Sequence, residues 1–157
     1  NEVATTYKLN PEAKVAAPAL NYNSELKFVS LDPLPVKKVD KVVNIDLGGN
    51  MQKYIWTINN QVWPNVTPIE VKKGDRVELD IHNSTWMMHP IHLHGNVFEV
   101  VSIDGRSIRG ALRDTVFVTP DSTVKVIFDA NEAGKWLLHC HMLYHMAAGM
   151  MTYVDVK

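Results

Sequence analysis

The only cysteine of the chain, Cys140, lies between His139 and His141 in the stretch HCHMLYHMAAGM. His145 follows five residues after the cysteine, and Met150 follows five residues after that. Thiolate, imidazole and thioether groups are ligands that soft and borderline transition metals prefer. These residue types at this spacing therefore indicate a metal site that uses sulfur and nitrogen donors.

A second histidine cluster, HPIHLHG, contains His89, His92 and His94. The two clusters together hold six of the seven histidines of the chain. A single histidine is usually an ordinary core or surface residue, but six in two short stretches around the sole cysteine favour metal binding. We assign the seventh, His82, to the surface or a sheet edge.

Strand geometry divides these candidate ligands between two sites. Successive side chains of a β-strand point to opposite faces. If both clusters are extended and lie side by side, one face carries His89 and Cys140. The opposite face carries four imidazoles: His92, His94, His139 and His141.

The face with Cys140 gains two ligands if the chain turns through residues 142–144. Such a turn returns His145 towards the thiol, and Gly149 permits the close approach that brings Met150 to the same place. Two imidazoles, one thiolate and a weak axial thioether describe a blue-copper electron-transfer site. Zinc is the main rival metal, although the chain has one cysteine and no CxxC spacing. A catalytic cysteine–histidine pair is another rival, and it would account for one imidazole but not for six.

The covalent connection between the two faces suggests a function for the His-Cys-His arrangement. An electron on a metal at Cys140 can leave through the backbone of that residue into His139 or His141. We therefore interpret these three residues as the catalytic electron path between two metal sites.

The rest of the sequence predicts an all-β protein. Alternating, β-branched runs separated by turn residues predict an antiparallel sandwich or barrel. The predicted strands are residues 42–47, 54–58, 76–81, 97–103, 115–118, 123–128, 135–140 and 151–156. Residues 1–40 are richer in proline and less periodic, so we interpret them as a linker or edge segment with a short strand at Leu26–Leu31. The four tryptophans are assigned mainly to core and loop packing.

Composition excludes several classes of function. The chain has 157 residues with 17 acidic and 16 basic side chains, which suits one domain and leaves a net charge of −1. This balance gives no electrostatic reason to expect binding to nucleic acid or to an anionic membrane. No apolar run approaches the roughly 18 residues of a membrane-spanning helix.

The two histidine clusters together resemble the C-terminal cupredoxin domain of multicopper oxidases, the family of laccases and bacterial copper-resistance oxidases. Supporting stretches are YIWTINNQVWP at 54–64, VKKGDRVELDIHN at 71–83 and RDTVFV at 113–118. The resemblance covers about residues 40–157. It implies a Greek-key β-sandwich of the cupredoxin type over residues 41–157.

The resemblance also implies an assignment of ligands. A type 1 copper would be held by four residues: His89, Cys140, His145 and Met150. His92 would bind the type 2 copper of a trinuclear cluster, and the type 3 pair would be bound by His94, His139 and His141. In such enzymes the type 1 copper takes single electrons from a donor such as a phenol, an aromatic amine or Cu(I). The trinuclear cluster then reduces dioxygen to water.

Four imidazoles are too few for three copper ions, since the family uses about twice as many. The resemblance therefore implies that this chain supplies half of a trinuclear site. An N-terminal cupredoxin domain or another subunit would supply the rest, and a two-fold pairing of this domain would also bring eight histidines together. The alternative is a stand-alone electron carrier or copper-binding module without oxygen chemistry. Bacterial members of the family imply a periplasmic or extracellular location.

Overall fold

The chain folds as two β-sheets packed face to face, and a computed structural model describes residues 12, 14–18 and 21–157. Within these residues there are twelve strands and one short α-helix. The strands are β1 (Lys41–Asn50), β2 (Ile55–Ile58), β3 (Ile69–Val71), β4 (Arg76–Asn83), β5 (His89–Leu93), β6 (Phe98–Ile103), β7 (Arg106–Ser107), β8 (Leu112–Arg113), β9 (Thr115–Val118), β10 (Thr123–Asp129), β11 (Gly134–Cys140) and β12 (Met151–Val156). Helix α1 is Leu143–Ala147.

The seven-stranded sheet has the order β2-β1-β4-β10-β6-β7, with β8 also paired to β6. The five-stranded sheet has the order β3-β12-β11-β5-β9. Most neighbours are antiparallel, but β1 pairs with β4 in parallel and β12 pairs with β3 in parallel. The predicted sandwich is confirmed, and the sequence did not predict that these two pairs are parallel. None of the helices in the described part of the chain is long and apolar enough to cross a membrane.

The core lies between the sheets and follows the alternation of the sequence. In β10, Val124, Val126 and Phe128 are fully buried, whereas the intervening Lys125 and Ile127 are only partly buried. Because side chains alternate between faces, one side of each such strand is committed to the core. The same rule places one face of β5 and one face of β11 inside the sandwich.

All eight predicted strands are present, within a few residues of their predicted ends. The short β3, β7 and β8 were not predicted, because two or three residues carry too little periodicity. Strand β5 was not among the eight predicted strands either, and the sequence analysis only assumed that the first histidine cluster is extended. The predicted strand at Leu26–Leu31 is wrong: a 3₁₀ turn occupies Glu25–Lys27, in which the Lys27 N–H donates to the Ser24 carbonyl at 3.0 Å and the Phe28 N–H donates to the Glu25 carbonyl at 3.1 Å. Residues 1–11, 13, 19 and 20 of the predicted linker lie outside the described residues.

Part of the predicted linker packs on the sandwich. The Tyr22 ring stacks on Phe117 with 5.5 Å between centroids, and the Tyr22 hydroxyl accepts the Thr119 N–H at 2.8 Å. The Glu25 carboxylate is buried and accepts a hydrogen bond from Arg113 at 3.0 Å. Residues 21–27 are therefore attached to β8 and β9.

A largely buried ion pair between Arg76 and Asp129 also contacts the end of the predicted linker, at Pro35. The Arg76 side chain is 2 % exposed and donates to both Asp129 oxygens, at 2.6 and 2.8 Å. A third bond joins the guanidinium to the Pro35 carbonyl at 3.1 Å. The hydrogen bonds from Arg76 lower the pKa of Asp129 below its ordinary value. Asp129 therefore stabilises the fold while it is ionised.

We expect Asp129→Asn to destabilise the protein by about 3 kcal/mol, because it leaves the buried Arg76 charge without a counter-ion. The folded pKa of Asp129 is depressed, so its contribution is present above the ordinary carboxyl pKa and is lost as the pH falls through the folded value. Urea unfolding should therefore show a large difference from the unsubstituted chain at neutral pH and a shrinking difference in acid.

Glu70→Gln provides the matched control. The Glu70–Lys157 pair is as close, at 2.6 Å, but both side chains are more than 60 % exposed. Its loss should destabilise the protein far less, because solvent screens an exposed pair. Equal effects of the two substitutions would contradict the role assigned to the buried pair.

Candidate metal centre

The pairing of β5 with β11 brings the two histidine clusters together. His139 lies opposite His92, and Cys140 lies opposite Ile91 in this antiparallel pair. The face of the strand pair that carries Ile91 and Cys140 points into the core, and His89 shares that face. The predicted division of the side chains between the two faces is thus confirmed, even though Pro90 in β5 has no backbone N–H to donate to a neighbouring strand.

Three donor atoms meet on the core side, and we call His89, Cys140 and His145 the thiol cluster. The Cys140 Sγ lies 3.7 Å from Nδ1 of His89 and 3.8 Å from Nδ1 of His145. The two Nδ1 atoms are 3.1 Å apart. All three side chains are buried. The sequence prediction that these residues share one place is confirmed by this geometry.

The loop after β11 returns His145 to the thiol. Helix α1 begins directly after Met142, whose carbonyl accepts the His145 N–H at 2.9 Å. The loop closes where the Cys140 N–H donates to the Met150 carbonyl at 3.1 Å. Met150 is itself fully buried beside this junction. The predicted turn through residues 142–144 therefore exists as the first turn of a helix.

Gly149 allows this loop to close. Its φ of +116° is one that side-chain-bearing residues rarely adopt, and a Cβ there would lie 2.4 Å from Val62 Cγ1. The Gly149 carbonyl accepts the Trp63 N–H, and the Ala148 carbonyl accepts the Trp56 N–H, at 3.1 and 3.2 Å. The close approach that the sequence predicted at this glycine is confirmed.

Sequence reasoning missed a buried polar network behind His89. Nε2 of His89 lies 2.7 Å from the Thr85 hydroxyl, which donates to the Asn83 side-chain oxygen at 2.8 Å. The Asn83 amide donates in turn to the carbonyls of Met87 and Val118. The hydroxyl thus accepts the Nε2 proton, which leaves the Nδ1 lone pair of His89 directed at the thiol. The sequence places Thr85 four residues before His89, but this spacing does not predict a hydrogen bond between them. The bond can be inferred only after the structure shows that both residues are buried.

Trp56 was predicted to be a packing residue, and it packs directly on the thiol cluster. Its ring stacks on the His145 ring with 4.1 Å between centroids and an angle of 28°. It also meets the His89 ring edge-on at 5.2 Å. Tyr54 lies edge-on to both Trp56 and His145, at 6.3 and 6.5 Å. The spacing of residues in the sequence does not predict that β2 contacts the histidine clusters.

Burial keeps the thiol cluster neutral. It lowers the pKa of His89 to about 4, with a smaller contribution from His145, and it also lowers the pKa of His145. It raises the pKa of the Cys140 thiol to about 11, although the backbone N–H of Met142 opposes the shift. Two uncharged imidazoles therefore face a protonated thiol at neutral pH. This donor set fits a soft metal ion, which would replace the thiol proton.

The other side of the strand pair carries what we call the histidine face: His92, His94, His139 and His141. The donor atoms of the first three lie within 4.8 Å of one another. Nε2 of His94 is 2.9 Å from Nε2 of His139. The His141 ring is exposed, with its centroid 5.6 Å from that of His92 and 5.9 Å from that of His139.

Backbone carbonyls orient two imidazoles of this face. Nδ1 of His92 donates to the Asp114 carbonyl at 2.8 Å, and Nδ1 of His139 donates to the Cys140 carbonyl at 3.0 Å. Both rings therefore keep their Nε2 lone pairs for a metal. Burial lowers the pKa of His139 and of His94, and neighbouring imidazoles lower both further, so these rings are neutral near pH 7.

His82 lies apart from both clusters. Its Nδ1 is 3.1 Å from the Thr123 hydroxyl on β10, in the seven-stranded sheet. His82 is partly buried on β4, which pairs with β1 and β10, so it does not lie at a sheet edge.

Comparisons with known proteins agree with this geometry. The chain is 43 % identical to the multicopper oxidase MmcO of Mycobacterium tuberculosis over 71 % of its length, and 30 % identical to copper resistance protein A of Pseudomonas syringae pv. tomato over 100 %. It spans only 22 % and 27 % of those two proteins. The McoA multicopper oxidase of Aquifex aeolicus superposes on 80 % of the chain with a TM-score of 0.68 and 29 % identity, and the chain covers 31 % of that structure.

The sequence model described as multicopper oxidase matches residues 37–157, which is most of the chain. The solved relatives share the all-β, cupredoxin-like sandwich described above. Copper is the metal of this family, and the sulfur and nitrogen donors of the thiol cluster suit it. The chain is therefore a copper-binding domain that belongs to the multicopper oxidase family.

Proposed function

We propose that this chain is the C-terminal cupredoxin domain of a laccase-like oxidase that couples oxidation of a one-electron donor to reduction of dioxygen to water. Its proposed type 1 ligands are His89, Cys140, His145 and Met150. Copper bound there would accept and release single electrons. The observation that carries the proposal is the convergence of one sulfur and two nitrogen donors within 3.8 Å in a buried, neutral pocket.

The histidine face supplies the second half of the proposal. We assign His92 to a type 2 copper and three residues to a type 3 pair: His94, His139 and His141. His139 and His141 are bonded through the backbone to Cys140, so the thiol and both imidazoles share one short covalent path. The carbonyl of Cys140 also accepts the Nδ1 proton of His139 at 3.0 Å. This bond holds the ring at the end of the path in one orientation.

Completion of the trinuclear site requires more imidazoles than this chain has. A second cupredoxin domain or another subunit, set against the exposed side of the histidine face, would supply them. A stand-alone electron carrier is not favoured, because it would need only the thiol cluster. It leaves the four imidazoles on the opposite face without a role.

The electron donor would reach the thiol cluster from the side of Trp56. A cavity of about 570 Å³ lies there, with eight lining residues: Gly49, Asn50, Met51, Gln52, Trp56, Thr85, Trp86 and Met87. Phenols and aromatic amines suit its apolar wall, whereas the thioethers of Met51 and Met87 suit Cu(I). The relative named for copper resistance supports a role in copper tolerance and a periplasmic or extracellular location.

Cys140→Ser should abolish the intense blue absorption of the copper-loaded chain, because a hydroxyl cannot replace the thiolate that produces it. His82→Gln is the matched control, since His82 lies outside both clusters and its ring contacts the Thr123 hydroxyl. Visible spectra of both variants after copper loading would test this. A blue Cys140→Ser protein would disprove the type 1 assignment.

Copper binding should release about one proton per ion between about pH 7 and pH 10, because the Cys140 thiol loses its proton to the metal site. The pKa of that thiol is about 11, and the pKa of His89 is about 4, so the thiol is protonated and His89 is neutral throughout this range. Apparent affinity should therefore rise about tenfold per pH unit. Calorimetric titration in two buffers of different ionisation enthalpy measures the proton release.

Cys140→Ser should release almost no proton in the same titration. Proton release that is unchanged in this variant would show that the thiol does not bind the metal.

The isolated chain should hold about one tightly bound copper ion, because the histidine face alone is too small a donor set for a cluster. His94→Ala combined with His139→Ala should leave the blue absorption in place while preventing cluster assembly with an added N-terminal domain. Copper analysis and an oxygen electrode would measure both effects. Steady dioxygen consumption by the monomeric chain alone would contradict the proposal that this chain supplies only half of the trinuclear site.

A further inference from the structure

A continuous set of buried hydrogen bonds connects the predicted linker to the imidazole of His89. We call its five members the Tyr22 network, and all of them are buried: Tyr22, Asn83, Thr85, Thr119 and Ser122. They come from four separate places, which are the segment 21–27, the end of β4, the loop before β5 and the turn between β9 and β10. Because a buried polar group costs free energy unless it is paired, the network is held in one arrangement of donors and acceptors.

The outer end of the network is the Tyr22 hydroxyl, which meets the turn between β9 and β10. This hydroxyl accepts the Thr119 N–H at 2.8 Å and lies 2.8 Å from Oγ of Ser122. The Ser122 hydroxyl already donates its own proton to the Thr119 carbonyl at 2.7 Å. Tyr22 is therefore the donor to Ser122, and it fixes the turn by donating one bond and accepting another.

The same turn holds Asn83 at the end of β4. The backbone N–H of Asn83 donates to the Ser122 carbonyl at 3.0 Å. The side-chain amide of Asn83 donates to the Val118 carbonyl at 3.0 Å and to the Met87 carbonyl at 2.7 Å. Since these two bonds use both amide protons, the side-chain oxygen of Asn83 is turned towards Thr85.

The inner end of the network determines the tautomer of His89. The side-chain oxygen of Asn83 accepts the N–H of Thr85 at 2.9 Å and its O–H at 2.8 Å. The other acceptor beside this hydroxyl is the Met87 carbonyl at 3.2 Å, so the Thr85 proton is directed at an oxygen in both cases. The hydroxyl oxygen therefore accepts the Nε2 proton of His89 at 2.7 Å. Nδ1 stays free of a proton, and a metal ion can bind it without a change of tautomer.

We propose that Tyr22 is a positioning residue for the metal site, which acts through the β9–β10 turn and Asn83 to hold His89 with its proton on Nε2. The proposal rests on the proposed function, since that assigns His89 as a copper ligand. Without the Tyr22 hydroxyl, the buried Thr119 N–H has no partner and the turn must shift to pair it. Asn83 then moves with the turn and no longer fixes the Thr85 hydroxyl. Residues 21–27 thus belong to the functional domain, which the resemblance begins near residue 41.

NMR of the histidine rings in the metal-free chain tests this role. Two-bond ¹⁵N–¹H spectra measure the ratio of the Nε2–H to the Nδ1–H tautomer, and the signals of His89 are assigned by their absence in His89→Gln. Thr85→Val removes the acceptor and should lower this ratio about tenfold, which corresponds to one hydrogen bond. Tyr22→Phe keeps the ring that stacks on Phe117 and should lower the ratio about threefold, because it acts at a distance.

Glu25→Gln is the matched control. Glu25 is the other buried polar anchor of the segment 21–27, and among the described residues its carboxylate bonds to Arg113 and to no member of the Tyr22 network. The tautomer ratio of His89 should stay close to that of the unsubstituted chain. An equal change in Glu25→Gln and Tyr22→Phe, or no change in Tyr22→Phe, would overturn the proposal. This comparison does not depend on the folding of Thr85→Val.

A double-mutant cycle tests whether the effect of Tyr22 passes through Thr85. In the Thr85→Val background, Tyr22→Phe should not change the ratio further, because the bond through which it acts is absent. A further fall equal to that in the unsubstituted background would contradict transmission through the network. If the unsubstituted chain forms no blue copper site, the proposed function fails instead, whereas the ratios in the metal-free chain still decide how Tyr22 acts on His89.

Discussion

The constraint on which this molecule depends is the alternation of side chains along β11 next to β5. Because neighbouring residues of a strand face opposite ways, Cys140 enters the core while His139 and His141 remain on the outer side. The register with β5 then places His92 opposite His139 and Ile91 opposite Cys140. A shift of one residue in either strand would mix the two donor sets. The separation of a buried thiol cluster from an outward histidine face is therefore a property of strand pairing.

The two faces have different electrostatic settings, and this difference suits their chemistry. On the core side, burial keeps the imidazoles neutral and the thiol protonated, as shown by the pKa values of about 4 for His89 and about 11 for Cys140. A charged group there would have no solvent to stabilise it, so a metal must displace the thiol proton. On the outer side, His141 is exposed and His92 is only partly buried, although His139 is buried. That face can accept imidazoles from elsewhere, whereas the core side cannot.

The surroundings of the thiol cluster come from elements that are distant in sequence. The hydroxyl of Thr85, from the loop before β5, selects the ring nitrogen with which His89 faces the thiol. Trp56, from β2 in the other sheet, covers His145 and joins the cluster to the cavity. The β1–β2 hairpin and the loop after β11 meet only because the two sheets pack together. Shielding and access are therefore both consequences of the sandwich.

The sequence alone determined the types of donor, their division between two faces and most of the strands, because strand alternation and ligand preference are local properties. It also pointed to Gly149, because glycine is the residue that tolerates a close approach of two chain segments. It did not reveal the parallel pairs β1–β4 and β3–β12, the 3₁₀ turn at Glu25–Lys27, or the roles of Thr85 and Trp56. These depend on which segments become neighbours after the sheets pack. Tertiary structure decided them because burial and long-range contact are properties of the folded chain, which no spacing within one segment encodes.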